Sequence, residues 1–89
     1  MSKHEKIETL FNDKKDKIHE AMDGETKDQV HSYVENLAVL VRDYEEDPSE
    51  EKKQAVVDRF DILRKSFLRD AKDKEVIKSF LASLQAILD

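Results

Sequence analysis

A chain of 89 residues with one glycine and one proline has few places to break or reverse. Both residues punctuate secondary structure, so their scarcity predicts long helices joined by short loops. Charged side chains make up 42% of the chain and apolar ones 38%. That apolar share builds a core only if it is gathered on narrow helical stripes. The length fits one domain, covering residues 1–89, and a chain this short must use its core efficiently.

The stripes are present. Apolar residues three and four apart share a helix face. Between Ser2 and Met22 the set is Ile7, Leu10, Phe11, Ile18 and Met22, interrupted by Lys14 and Lys15. Lysine stems can cover apolar surface while the ammonium reaches water. The interruption nevertheless makes "NDKKDK" the expected place for a bend or break. Gly24 is expected to cap this helix, since glycine enters the left-handed region without strain. "TKDQ", Thr26 to Gln29, reads as a capping box for the second helix. That helix carries Val30, Tyr33, Val34, Leu37, Leu40, Val41 and Tyr44 on one face and should end near Glu46.

"DPSEE" reads as the start of a third helix. Asp47 is the expected cap and Pro48 the first helical residue, where its missing N–H costs nothing. Glu50 and Glu51 then meet the positive end of the helix dipole. Val56, Phe60, Leu63, Phe67 and Ala71 run along the centre of this helix, with Val57 and Leu68 on its flank. Neither Gly nor Pro separates helices three and four. A single helix from Pro48 to Leu88 would be about 60 Å long and could not fold back on its own stripe. A break is therefore expected in "RDAKDKE", Arg69 to Glu75, with Asp70 or Asp73 as the next cap. The fourth stripe is the most regular: Ile77, Phe80, Leu81, Leu84, Ile87 and Leu88.

Four amphipathic helices with short joins predict an all-α, antiparallel four-helix bundle. The alternative is a three-helix form in which helices three and four are nearly continuous, with a dimer covering the exposed stripe.

Several kinds of chemistry lack the residues they need. There is no cysteine, which removes disulfides, thiolate catalysis and cysteine zinc sites. No apolar run approaches the roughly 20 residues that span a bilayer. "MSKHEKIETLF" carries acids and has no uninterrupted apolar segment, so a secretory signal is not expected there, and a cytoplasmic protein is. "DKIH" (Asp16–His19) and "DQVH" (Asp28–His31) echo the Glu-x-x-His motif of di-metal bundles. Both histidines lie toward the edges of their stripes, and helices three and four offer no central carboxylate. Neither a metal site nor a cofactor is expected. Scattered serines and the lack of a glycine-rich loop give no nucleophile or phosphate cradle, and an enzyme is not expected.

Charge is the remaining signal. The net charge is −5, but it is unevenly spread. Eleven acids face two bases between Glu20 and Glu51, and nine bases face five acids between Lys52 and Lys78. Either neighbouring helices neutralise one another across the fold, or the molecule is dipolar and steers a partner. Interleaved acids and negative net charge speak against direct nucleic-acid binding by the basic stretch, although phosphate affinity scales with such bases. Asp43, Glu45 and Glu46 gather at a helix C-terminus, where negative charge is unfavourable. Val39 and Ile62 lie opposite the stripes of their helices. These five residues are the candidate partner-binding set. The expected function is a non-enzymatic acidic helical protein that binds and modulates a protein partner with a basic surface, in an adaptor, inhibitor or immunity-type role. A homodimer through Val39 and Ile62, a bundle that holds a lipid or other apolar ligand, and an acidic decoy for a nucleic-acid-binding protein are the alternatives.

Overall fold

The computed structural model describes residues 1–89 as four helices: α1 (Lys3–Ala21), α2 (Gly24–Glu46), α3 (Glu50–Arg69) and α4 (Lys74–Leu88). α1 packs on α2 and α4, α2 packs on α3, and α3 meets α4 more sparsely. The arrangement is an antiparallel four-helix bundle, and α3 and α4 are separate helices. The nearly continuous three-helix form is therefore excluded. Asp70 ends α3, and the Asp73 side chain accepts the Val76 N–H at 3.4 Å to start α4.

α1 begins with a capping box that the stripe reading passed over. The Ser2 hydroxyl accepts the Glu5 N–H at 3.3 Å, and the Glu5 carboxylate accepts the Ser2 N–H at 3.4 Å. The helix runs unbroken through "NDKKDK", contrary to the expected bend. Lys14 and Lys15 stay exposed while Phe11 and Ile18 on either side are buried. The lysine pair thus thins the stripe without breaking the backbone. Its trace is two shallow clefts beside α1. One, of about 300 Å³, lies against α4 at Lys14 and Lys17. The other, of about 310 Å³, lies against α2 at Lys15.

The α1–α2 join also differs from expectation. Met22, fully buried and extended, ends α1. Asp23 rather than Thr26 caps α2, and its carboxylate accepts the Gly24 N–H at 2.9 Å. Gly24 has φ +63°, but as the first residue of α2 and not as a cap of α1. A Cβ there would also meet the Asp70 carboxyl carbon at 3.3 Å. Thr26 is buried because its hydroxyl donates to the Asp70 carboxylate, which also accepts the Thr26 N–H at 3.3 Å. The free N–H groups of a helix start need acceptors, and α2 borrows one from the α3–α4 loop. The two loops pair directly. Asp23 N–H donates to Asp70 O at 2.8 Å, and the Lys72 and Asp73 N–H groups donate to Ala21 O at 2.7 and 3.0 Å. Met22 and Ala71 face each other in an isolated antiparallel bridge.

At the opposite end, Ser49 replaces Asp47 as the cap of α3 and accepts the Lys52 N–H at 3.2 Å. Asp47 instead ends α2, where its N–H donates to Asp43 O and its carboxylate receives Lys52 Nζ at 3.0 Å. Pro48 lies between the helices rather than at the first helical position.

Seventeen buried apolar residues form one core. A run of rings crosses all four helices, from exposed His31 through buried Phe11, Phe80 and Phe67 to half-buried Tyr33. His31 and Phe11 meet at 5.7 Å between centroids, Phe11 and Phe80 at 6.5 Å, Phe80 and Phe67 at 6.3 Å, and Phe67 and Tyr33 at 5.8 Å. Edge and offset contacts of this kind add to the area the rings bury. No buried side-chain polar atom lacks a hydrogen-bond partner.

Candidate functional site

Helix length shapes the site. α2 has 23 residues and α4 has 15; at about 1.5 Å per residue these are roughly 35 and 22 Å long. The α2–α3 hairpin therefore overhangs the end of α4. Where α4 stops, an open cleft of about 470 Å³ remains between α2, α3 and the Leu88 end. Val41 and Phe60 form its buried floor, with Tyr44, Val56 and Leu88 half-buried around them. Val57 is 52% exposed and lies one residue from Val56, on the α4-facing flank of α3. The sequence had placed Val57 on the flank of a core stripe. It lacks its expected cover because α4 does not extend far enough to supply it.

The five sequence-derived candidates occupy distinct settings. Ile62 is 48% exposed, as its position opposite the stripe predicted. Val39 is half-buried. Ile62 and Val57 are five residues apart, or about 140° around a helix, so they belong to different faces. Asp43 is half-buried and Glu46 exposed.

Glu45 has a structural task. Its carboxylate accepts the Lys3 N–H at 3.0 Å and the His4 N–H at 3.1 Å, and it meets His4 Nδ1 at 3.0 Å. The helices are antiparallel, so the C-terminus of α2 delivers this acid to the N-terminus of α1. There its charge meets the positive end of a dipole. Partial burial works to raise the Glu45 pKa, but the hydrogen bonds from the His4 side chain and the Lys3 and His4 amides outweigh it and hold the carboxyl below its ordinary range. The unfavourable helix end that drew attention to Glu45 is thereby accounted for. Lys3 Nζ donates to Leu88 O at 3.1 Å and ties the end of α4 to the same corner.

Apart from Lys52–Asp47 at the tip, no ion pair joins α2 to α3. Five of the six ion pairs join residues no more than five apart in sequence, and the exception is His4–Glu45. At the hairpin tip, Arg42 pairs with Asp43 at 4.0 Å and Lys52 with Asp47. Glu46, Glu50 and Glu51 make no ion pair and accept no side-chain hydrogen bond. Among the bases of the tip, only Lys53 is unpaired.

The carboxylates displaced from their usual range are all displaced downward. Hydrogen bonds from Ser2 lower Glu5; those from Lys65 and Arg64 lower Asp61. Arg69 and Thr26 hold Asp70 near 2, and Asp70 in turn raises Arg69. Donors that favour the charged form have this effect. The two Asp-x-x-His motifs do converge: Asp16, His19, Asp28 and His31 line the cleft between α1 and α2, with Lys15 and Lys27. No three histidine or carboxylate groups in the chain stand close enough to share a metal ion.

No helix is long and apolar enough to cross a membrane. No protein-family model, curated protein or solved structure matches the chain.

Proposed function

We propose that this protein is a non-enzymatic interaction module that binds and modulates a protein partner through the α2–α3 tip. One observation carries the reading. The acidic segment folds beside a basic helix, yet Glu46 makes no ion pair and caps no helix, and Glu50 and Glu51, which face the dipole from the first turn of α3, carry no ion pair either. Exposed, unpaired carboxylates on one short stretch of chain raise the local negative potential and steer a basic partner. Glu45 is not part of this surface, since its carboxylate holds the start of α1.

The test is capture of a partner from the source cell at low salt with the unmodified protein and with the triple variant Glu46→Gln, Glu50→Gln, Glu51→Gln. The expected result is one partner whose association slows in the variant, chiefly through the on-rate, with the loss fading as salt rises. Absence of any partner above background, or a partner indifferent to the triple variant, overturns the reading.

A further inference from the structure

We propose that the cleft between α1 and α4 binds a small single-chain amphiphile with one anionic headgroup, of the class of a medium-chain carboxylate. The site is separate from the α2–α3 tip and does not depend on the partner-binding reading. Leu10, Ile18, Val76 and Phe80 form the apolar floor of this cleft of about 300 Å³. Ligand sites of about 300–1,000 Å³ are mostly apolar, with a few polar groups that orient the ligand. The polar groups here are Lys14, Lys17, Glu75, Ser79 and Ser83.

Lys14 occupies a core position of α1. It lies seven residues after Ile7 and four from both Leu10 and Ile18, on the face that such spacing turns inward. Ile7 and Ile18 are fully buried, yet Lys14 is exposed. A leucine at that position would help to close the cleft. The lysine leaves it open, with the stem able to line the floor and the ammonium at the edge.

Charge selects the occupant. Neither Lys14 nor Lys17 joins any of the six ion pairs. Glu75, the one acid on the rim, sits in the first turn of α4, where its charge meets the positive end of the helix dipole. Two lysines against one glutamate give the rim a single net positive charge, although the chain as a whole is at −5. The Ser83 hydroxyl donates to Ser79 O at 3.2 Å, while the Ser79 hydroxyl has no acceptor within the chain. A short-chain carboxylate matches each of these features. Its chain covers the floor, its charge balances the rim, and it accepts from Lys14, Lys17 and Ser79. A neutral amphiphile leaves both ammonium groups without a partner, and a cationic one meets repulsion.

The experiment titrates the 15N-labelled protein with octanoate at neutral pH and low salt. Octanamide, octylammonium and acetate are the controls. The expected amide shifts centre on Leu10, Lys14, Val76 and Ser79, with octanoate binding more tightly than any control. The double variant Lys14→Gln, Lys17→Gln should weaken octanoate binding about fivefold or more, the equivalent of two exposed ion pairs. Lys14→Leu should also weaken it, while raising the melting temperature as cavity-filling substitutions do. Both lysines are exposed, and retained helical circular dichroism confirms that the variants fold. Shifts centred beside Val57, equal binding of octanamide or acetate, or a double variant that binds octanoate as the native protein does overturns the proposal. So does a Lys14→Leu protein that melts below the native one, because the lysine would then serve the fold.

Discussion

Replacing Glu45 tests whether the α2 C-terminus builds the fold. Its carboxylate receives two main-chain N–H groups and the His4 ring. Glutamine keeps one acceptor oxygen in place and removes the charge. Charge at a helix N-terminus is worth about 0.3–1 kcal/mol, so Glu45→Gln should cost roughly 0.5–1 kcal/mol. Alanine also removes the acceptor, and full loss of a cap costs about 0.5–2 kcal/mol, so Glu45→Ala should fall near 1–2 kcal/mol. For a domain of this size about 1 kcal/mol moves the melting temperature by about 4–8 °C. Circular dichroism melts at neutral pH should therefore rank native above Glu45→Gln above Glu45→Ala. Glu46→Gln, which removes an uncommitted exposed charge, should melt with the native protein or slightly above it. Acid supplies a second check. The Glu45 pKa is lowered in the folded state from an ordinary 4.5. Its contribution is complete above that value and is lost as pH falls through the lower folded value. The gap between native and Glu45→Gln should close in that window, because a protonated carboxyl and an amide resemble each other. Equal melting of Glu45→Gln and Glu46→Gln at neutral pH, or a gap that persists in strong acid, would refute the assignment.

Phe67→Ala should cost about 3–5 kcal/mol by denaturant unfolding, since the ring is fully buried and touches both Phe80 and Tyr33. Phe60→Ala should cost less, because its site opens onto the cleft. Ser49→Ala should lose about 0.5–2 kcal/mol, whereas Asp47→Ala should change stability by less than about 0.5 kcal/mol; parallel melts distinguish them. Gly24→Ala should destabilise by about 1–2 kcal/mol from the positive φ alone, measured the same way. Asp70, lowered from 3.8 to about 2, should stabilise the fold fully above about pH 4 and lose its contribution as pH falls toward 2. Asp70→Asn should flatten that part of the stability–pH curve.

The helices were legible because three-and-four spacing reports directly on burial, and Ile7, Val34, Leu63 and Leu84 all lie where it put them. The helix ends were less so. Asp47 and Ser49 both accept N–H groups well, and the choice between them depends on how the chain leaves α2. The join at Arg69–Glu75 could be found because helix length alone demanded it. The role of Glu45 could not, because its partners Lys3 and His4 lie more than forty residues away and become neighbours only when the helices run antiparallel. Asp70 and Thr26 were hidden for the same reason. Of the candidate residues, the exposure of Glu46 and Ile62 was readable, whereas Glu50 and Glu51 read only as the acidic first turn of α3. The overhang cleft was not readable, because it results from the difference in length between α2 and α4 and from what that leaves uncovered beside Val57.

The pairing of the two loops bears on how the molecule opens. α3 and α4 share the sparsest seam of the bundle, so on packing alone that hairpin would be the first part to come loose. Yet the residues between α3 and α4 hold the start of α2, through Asp70 to Thr26, and the end of α1, through Lys72 and Asp73 to Ala21. Loosening the weak seam near those loops therefore also removes acceptors and donors from the other two helices. The chain cannot readily behave as two independently opening units in the sense used for proteins with separate foldons. Amide hydrogen exchange should show Thr26, Asp23, Lys72 and Asp73 opening together, although they lie about fifty residues apart in the chain, while the amides at the α2–α3 tip exchange on their own and earlier.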